Sequence, residues 1–141
     1  MTDAQLIEQA LAARRHAYAP YSRYAVGAAL LGENGVVYTG CNVENASYGG
    51  TICAERTALV KAVSEGERRF IALAIAGGNA EEKSPLTDYA APCGICRQTL
   101  YEFSPKLRVL IARSPEDYKD LTLRELLPEG FGAAQLEHGH R

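Results

Sequence analysis

The sequence predicts a three-layer α/β fold in which helices pack on both faces of a mixed sheet. Three observations carry this expectation. An apolar stripe at helical spacing opens the chain, an Asn-Gly hairpin follows it, and apolar strand-like runs then alternate with helical segments.

The elements follow in order. Thr2 and Gln5 have capping-box spacing, and Asp3 suits the first turn of a helix. Leu6, Ile7, Ala10 and Leu11 then share one helical face, and Pro20 ends the pattern. Ala25 to Leu31 reads as a small, apolar strand. Glu33-Asn34-Gly35 supplies the turn, because Asn-Gly tolerates positive φ at both central positions. Val36 to Val43 is the return strand, whose end brings Asn42, Glu44 and Asn45 to a surface. Thr51 to Glu65 reads as a helix, with Ala58/Ala62 and Leu59/Val63 as i,i+4 pairs and Gly66 as its stop. Phe70 to Ala76 has no polar face, as expected of a central strand covered on both sides. Gly77 to Ala91 reads as a loop. Pro92 favours the start of a helix running from Cys93 to Phe103. Leu107 to Ala112 is a further strand, and Thr122 with Glu125 forms a second capping-box pattern before a short helix that Pro128 limits.

The 141 residues fit one domain, residues 1–141, and 47% apolar with 23% charged residues is ordinary for a globular chain. A net charge of -2 gives no electrostatic footing on a polyanion, which argues against extended nucleic-acid binding. The pairs Arg14-Arg15 and Arg68-Arg69 read as solvated surface. The N-terminal segment, with Asp3 and Glu8, lacks a signal-peptide pattern, and the run from Phe70 to Ala76 is too short to span a bilayer. A cytoplasmic location is therefore expected. In that setting Cys41, Cys53, Cys93 and Cys96 serve as thiols or thiolates rather than disulfides. Cys41 reads as a small buried apolar residue, and His138 and His140 as parts of an exposed polar tail.

The chemistry concentrates in Cys53-Ala54-Glu55 and Pro92-Cys93-Gly94-Ile95-Cys96. Three thiolates fill three corners of a tetrahedral Zn²⁺ and leave the fourth for water. A Cys-x-x-Cys pair at a helix start presents both sulfurs on one face, and the partial positive charge there favours thiolate. The competing readings are a closed structural zinc site, which needs a fourth protein ligand, and a redox Cys-x-x-Cys. Glu55, two residues from Cys53, is placed to reach a water on the metal without binding it; the plain alternative is an exposed helix glutamate. Arg56 and Arg97 each follow a key residue and are candidates to donate to the thiolates, with a solvated helix arginine as the alternative for Arg97.

The segments Cys41-Asn42-Val43-Glu44-Asn45-Ala46-Ser47-Tyr48-Gly49-Gly50-Thr51-Ile52-Cys53-Ala54-Glu55-Arg56-Thr57-Ala58 and Pro92-Cys93-Gly94-Ile95-Cys96-Arg97-Gln98 closely resemble the small cytidine deaminases. The likeness runs from Tyr21-Ser22 to Leu126-Leu127-Pro128. It implies a three-layer α/β/α sandwich with a mixed five-stranded sheet. It also implies hydrolytic deamination of cytidine and 2′-deoxycytidine in pyrimidine salvage, with one zinc per subunit held by Cys53, Cys93 and Cys96 and with Glu55 moving the protons. By the same resemblance, Asn42 and Glu44 bind the ribose, Tyr24 and Ala54 meet the substrate, and Arg56 and Gln98 support the metal ligands. Tyr48 and Phe131 match positions near sites shared between the subunits of a homotetramer. Tyr24 stands where the family often has Phe, and Gly50 where it commonly has a larger apolar residue. The partners implied are a small nucleoside and further copies of the chain, with no nucleic-acid polymer and no membrane. A deaminase of modified cytosine nucleosides and a catalytically silent zinc module remain as alternatives.

Overall fold

The structure is a computed structural model that describes residues 1–138, the side chain of His138 excepted. His140 and the His138 side chain therefore lie outside the described residues. A five-stranded sheet runs in the order β2-β1-β3-β4-β5. Its strands are β1 (Tyr24–Gly32), β2 (Val37–Cys41), β3 (Phe70–Asn79), β4 (Arg108–Ser114) and β5 (Asp117–Thr122). Every pairing is antiparallel except β3 with β4. Parallel neighbours need a crossover, and helix α3 (Gly94–Tyr101) lies within it. Helix α1 (Asp3–Ala13) opens the chain, α2 (Ala54–Ser64) links β2 to β3, and the short helices α4 (Leu123–Leu126) and α5 (Ala133–His138) follow β5.

The period-two alternation of the strands divides the core into two layers. Ala29, Ala72, Ala74, Leu110 and Ala112 face α1 and receive Leu6, Ile7 and Ala10. Their neighbours Ala28, Leu30, Leu73, Ile75, Val109 and Ile111 face the other way, onto Ala54, Ala58, Leu59, Ala62 and Leu100 of α2 and α3. A strand buried on both faces reads as a continuous apolar run, and β3 does. The expected α/β/α sandwich with a mixed five-stranded sheet is thus present. The turn at Gly35 and the stop at Gly66 both take positive φ, +85° and +99°. Among the described residues no helix is long and apolar enough to cross a membrane.

Several local expectations are corrected. The second helix starts at Ala54, not Thr51, because Ile52 pairs instead with Val43 through two backbone hydrogen bonds of 2.9 and 3.0 Å. Strand β3 continues to Asn79, since Gly77 and Gly78 still pair with Val26 and Ala25 of β1. Strand β5 is an edge strand with polar residues at Asp117, Lys119 and Asp120, and it carries no apolar alternation to betray it. Arg14 is not solvated surface: its guanidinium donates to the carbonyls of Ala25, Gly78, Asn79 and Glu82 at 2.6–3.0 Å, tying α1 to β1 and to the segment after β3.

Candidate active site

The pairing of Ile52 with Val43 ends where α2 begins, which places Cys53 at the N-cap of α2. Cys93 occupies the same position on α3, and Cys96 lies buried in the first turn of that helix. The three sulfurs lie within 4.8 Å of one another, with Cys53 Sγ and Cys93 Sγ 3.9 Å apart. Neither N-cap cysteine closes its helix with a side-chain cap, so both helix starts leave partial positive charge beside the sulfurs. Arg56 Nη2 sits 3.8 Å from Cys53 Sγ and 3.2 Å from the Thr51 carbonyl, and its buried Nε has no hydrogen-bond partner. The Cys53 thiol is lowered to about 5, chiefly by hydrogen bonding with Cys96 and further by Arg56 and Cys93, against burial that opposes ionisation. The Cys96 thiol is pushed up by Cys53, by burial and by Glu55. Three thiolates this close repel one another, and a soft-tolerant divalent cation between them removes that conflict. The donor set therefore fits zinc. Cys41 stands apart from the cluster; it is half-buried rather than fully buried, and its thiol is raised mainly by that burial.

Glu55, second residue of α2, is only 4% exposed. Burial raises its carboxyl to about 7, with the nearby Cys53 adding to the effect; its own backbone N–H, Cys96 and Arg56 pull the other way. It is a buried acid poised near neutrality beside a metal-binding cluster, which is the setting of an acid–base catalyst.

Glu55, Cys53 and Cys93 line a cavity of about 220 Å³ together with Tyr24, Val26, Ala54, Ile75, Ala90 and Ala91. Asn42 also lines it, with its side chain already engaged: Oδ1 accepts from Val26 N at 2.9 Å and Nδ2 donates to the Tyr24 carbonyl at 2.8 Å. Glu44 lies in an adjoining hollow of about 230 Å³ with Tyr21, Ser22 and Tyr48, and Thr51 belongs to both. The Glu44 carboxylate accepts from Tyr21 N at 2.9 Å, from Ser22 N at 3.1 Å and from the Ser22 hydroxyl, which holds it below the usual carboxylate range. Asn42 and Glu44 thus hold different partners, Asn42 the β1 backbone and Glu44 the Tyr21-Ser22 segment. They serve two adjoining hollows, because β2 ends at Cys41. A larger open hollow of about 880 Å³ near Glu8, Arg14 and Lys83 is remote from this cluster, and Arg14 there is spent on carbonyls.

The remaining expected residues divide. Tyr48 is 73% exposed, with its ring 5.6 Å from that of Tyr21. Phe131 is exposed and lines neither hollow. Gln98 does not support a thiolate: it is exposed, and its amide donates to the Phe131 carbonyl at 2.7 Å. Arg97 is neither solvated nor on a thiolate; it donates to the carbonyls of Pro92 and Leu126, each at 2.7 Å. A Cβ at Gly50 would meet Asn45 at an ordinary 3.6 Å, so the small residue there relieves no crowding. Sequence reasoning missed Thr51, Ala90 and Ala91. The Ala90-Ala91 pair had one signal, its position directly before Pro92-Cys93.

A three-sulfur cluster joining two helix starts, with a buried acid beside it on an α/β/α sandwich, defines the zinc-dependent deaminase class. The sequence model of the cytidine and deoxycytidylate deaminase zinc-binding region matches residues 1–112. A cytidine deaminase of Halalkalibacterium halodurans is 48% identical over 132 residues, covering 93% of this chain and 95% of that protein. One from Mycobacterium tuberculosis is 42% identical over 125 residues, 89% of this chain and 86% of its own. The crystal structure of cytidine deaminase from Burkholderia pseudomallei superposes with a TM-score of 0.82 at 48% identity, over 93% of this chain and 100% of that one. The chain belongs to the cytidine and deoxycytidylate deaminase family and carries that family's zinc-binding region.

Proposed function

We propose that the chain, acting as a single catalytic domain over residues 1–141, hydrolyses cytidine and 2′-deoxycytidine to uridine and 2′-deoxyuridine, consuming water and releasing ammonia. The observation that carries this reading is the placement of the buried Glu55 carboxyl in the same cavity as Cys53 and Cys93. Cys53, Cys93 and Cys96 would hold the zinc, which when bound supplies Lewis acidity toward a water in its open position. Glu55 takes a proton from the attacking water and delivers it to ring N3 of the base. It then takes the proton of the hydroxyl added at C4 and passes it to the amino group, which leaves as ammonia as the C4–N bond breaks and the C4 carbonyl forms. Burial makes the Glu55 carboxyl easier to protonate than an exposed one, which suits a group that must both take and give a proton. Arg56 offsets the negative charge gathered on the sulfurs.

Tyr24 and Ala54 flank the pyrimidine, while Asn42 and Glu44 address the ribose from the two adjoining hollows. Their bonds to backbone and to Ser22 hold these groups in place before substrate arrives, which lowers the ordering cost of binding. Glu44 ionises readily and would repel a phosphate, so nucleosides are favoured over nucleotides. The exposed Tyr48 and Phe131 suit a homotetramer in which neighbouring subunits complete each other's sites. The setting proposed is cytoplasmic pyrimidine salvage.

The test is conversion of cytidine to uridine by purified, zinc-loaded protein. Glu55→Ala should retain zinc and lose turnover by about 10²–10⁴-fold. A wild type that holds zinc, keeps its assembly and converts no cytidine overturns the reading.

A further inference from the structure

The segment between β3 and α3 supplies Ala90 and Ala91 to the cavity wall and ends on Cys93. Its seat is tightly defined. A Cβ added at Gly77 of β3 would lie 2.9 Å from the Ala90 methyl, 3.0 Å from Val26 and 3.1 Å from the Tyr24 ring, so these three cavity side chains converge on one glycine.

The groups that hold this wall from behind are outside the cavity. The Tyr89 hydroxyl donates to Asp117 Oδ1 at 2.6 Å, and Asp117 Oδ2 accepts from Arg113 Nη1 at 2.9 Å. Arg113 Nε donates to the Leu86 carbonyl at 2.7 Å, while Leu86 N donates back to the Arg113 carbonyl at 2.8 Å. Two cations lie over the Tyr89 ring, Lys119 Nζ 4.6 Å and Arg113 Cζ 5.4 Å from its centroid. An exposed ion pair such as Arg113–Asp117 contributes little alone. Here it forms part of a closed circuit with a phenol that adjoins Ala90 in the chain. The buried Leu86 and its two backbone-level bonds already anchor the segment. The phenol adds something an anchor does not need: it fixes the residue next to the wall.

We propose that Tyr89, held by Asp117 and Arg113, is a positioning residue that sets the Ala90-Ala91 wall against the pyrimidine. Edge strand β5, which lends no residue to the cavity, then governs how tightly substrate is held. The inference rests on the cytidine deaminase reading. A displaced wall weakens substrate, product and transition state alike, so it raises KM and leaves kcat nearly unchanged.

The experiment compares wild type with Tyr89→Phe, which keeps the ring beside its cations and removes only the hydroxyl, and with Asp117→Asn, which keeps one acceptor oxygen for the phenol and gives up the ion pair with Arg113. Cytidine KM and kcat, uridine Kd, bound zinc and Tm are measured together. In Tyr89→Phe, KM and uridine Kd should rise about fivefold, the scale of one lost hydrogen bond. In the same variant kcat should stay within about twofold and zinc should be unchanged. Asp117→Asn should fall between it and wild type. Unaltered KM and Kd in Tyr89→Phe, beside a wild type that converts cytidine, overturn the inference alone. So does a loss that appears only as lower Tm, zinc and kcat with KM unmoved. A wild type that fails to convert cytidine overturns the functional reading, and the inference falls with it.

Discussion

Helices α1 and α4 begin differently from α2 and α3. The first pair start on threonines, Thr2 and Thr122, whose hydroxyls accept from the backbone of Gln5 and Glu125, with both capping boxes closed. The second pair start on Cys53 and Cys93, whose side chains cap nothing. A good N-cap is worth about 1 kcal/mol, so α2 and α3 forgo stability that α1 and α4 keep. In exchange the partial positive charge of their N-termini stays beside two sulfurs and lowers the energy of a thiolate. Helix starts that only build the fold are closed by an oxygen of their own, whereas those that build the site are left open for a metal to tie together.

Replacing Cys93 with serine separates the two roles most sharply, because serine is a good N-cap and a poor zinc ligand. In Cys93→Ser, bound zinc should fall well below one per chain and turnover by about 10³-fold or more, the scale of the several kcal/mol that a metal supplies. Compared as zinc-free proteins, however, the variant should be at least as stable as wild type, and more stable by up to about 1 kcal/mol where the hydroxyl caps α3. Zinc analysis and denaturant unfolding in chelator read both effects. A variant that is less stable than wild type without metal would mean that the cysteine start contributes to the fold itself.

A smaller effect is expected at Arg56, which touches the cluster through Cys53 and the Thr51 carbonyl. Arg56→Ala should weaken zinc retention or activity about 10–100-fold, as removal of a group behind a metal ligand does. Unchanged turnover and zinc content would remove Arg56 from the site and leave the open helix ends to favour the thiolates.

Much of this division was legible in the sequence. Thr2/Gln5 and Thr122/Glu125 announced their helices, because capping depends on spacing within four residues. The three cysteines and Glu55 announced a site for the same reason, as each motif is local. What was not legible depends on partners far along the chain. Arg14 looked like surface until the carbonyls of Gly78, Asn79 and Glu82 came to meet it. Gln98 followed the cysteine motif directly, yet its helical position turns it to the Phe131 carbonyl. Strand β5 has charged residues at a sheet edge, where burial imposes no alternation, so neither it nor its grip on Tyr89 left a periodic trace. Ala90 and Ala91 carry no chemistry, and only the fold places them against the cavity beside Cys93.

The smallest effects should come from the ordinary caps, and their smallness is itself the test of the comparison. Thr122→Ala removes a cap from a short helix whose Leu123 is fully buried and whose Leu126 carbonyl receives Arg97. A loss of about 1 kcal/mol is expected, or a few degrees of Tm. Thr2→Ala should cost less, because the same turn is held independently: Asp3 accepts from Arg108 at 2.8 Å and from the Tyr118 hydroxyl at 3.0 Å. Both variants should keep full zinc and a cytidine KM equal to wild type, because neither threonine reaches the cavity. If Thr2→Ala instead lowered zinc content, the caps of α1 and α4 would be coupled to the cysteine cluster through the sheet. The two kinds of helix start would then be one cooperative unit rather than separate solutions to the same unsatisfied N–H groups.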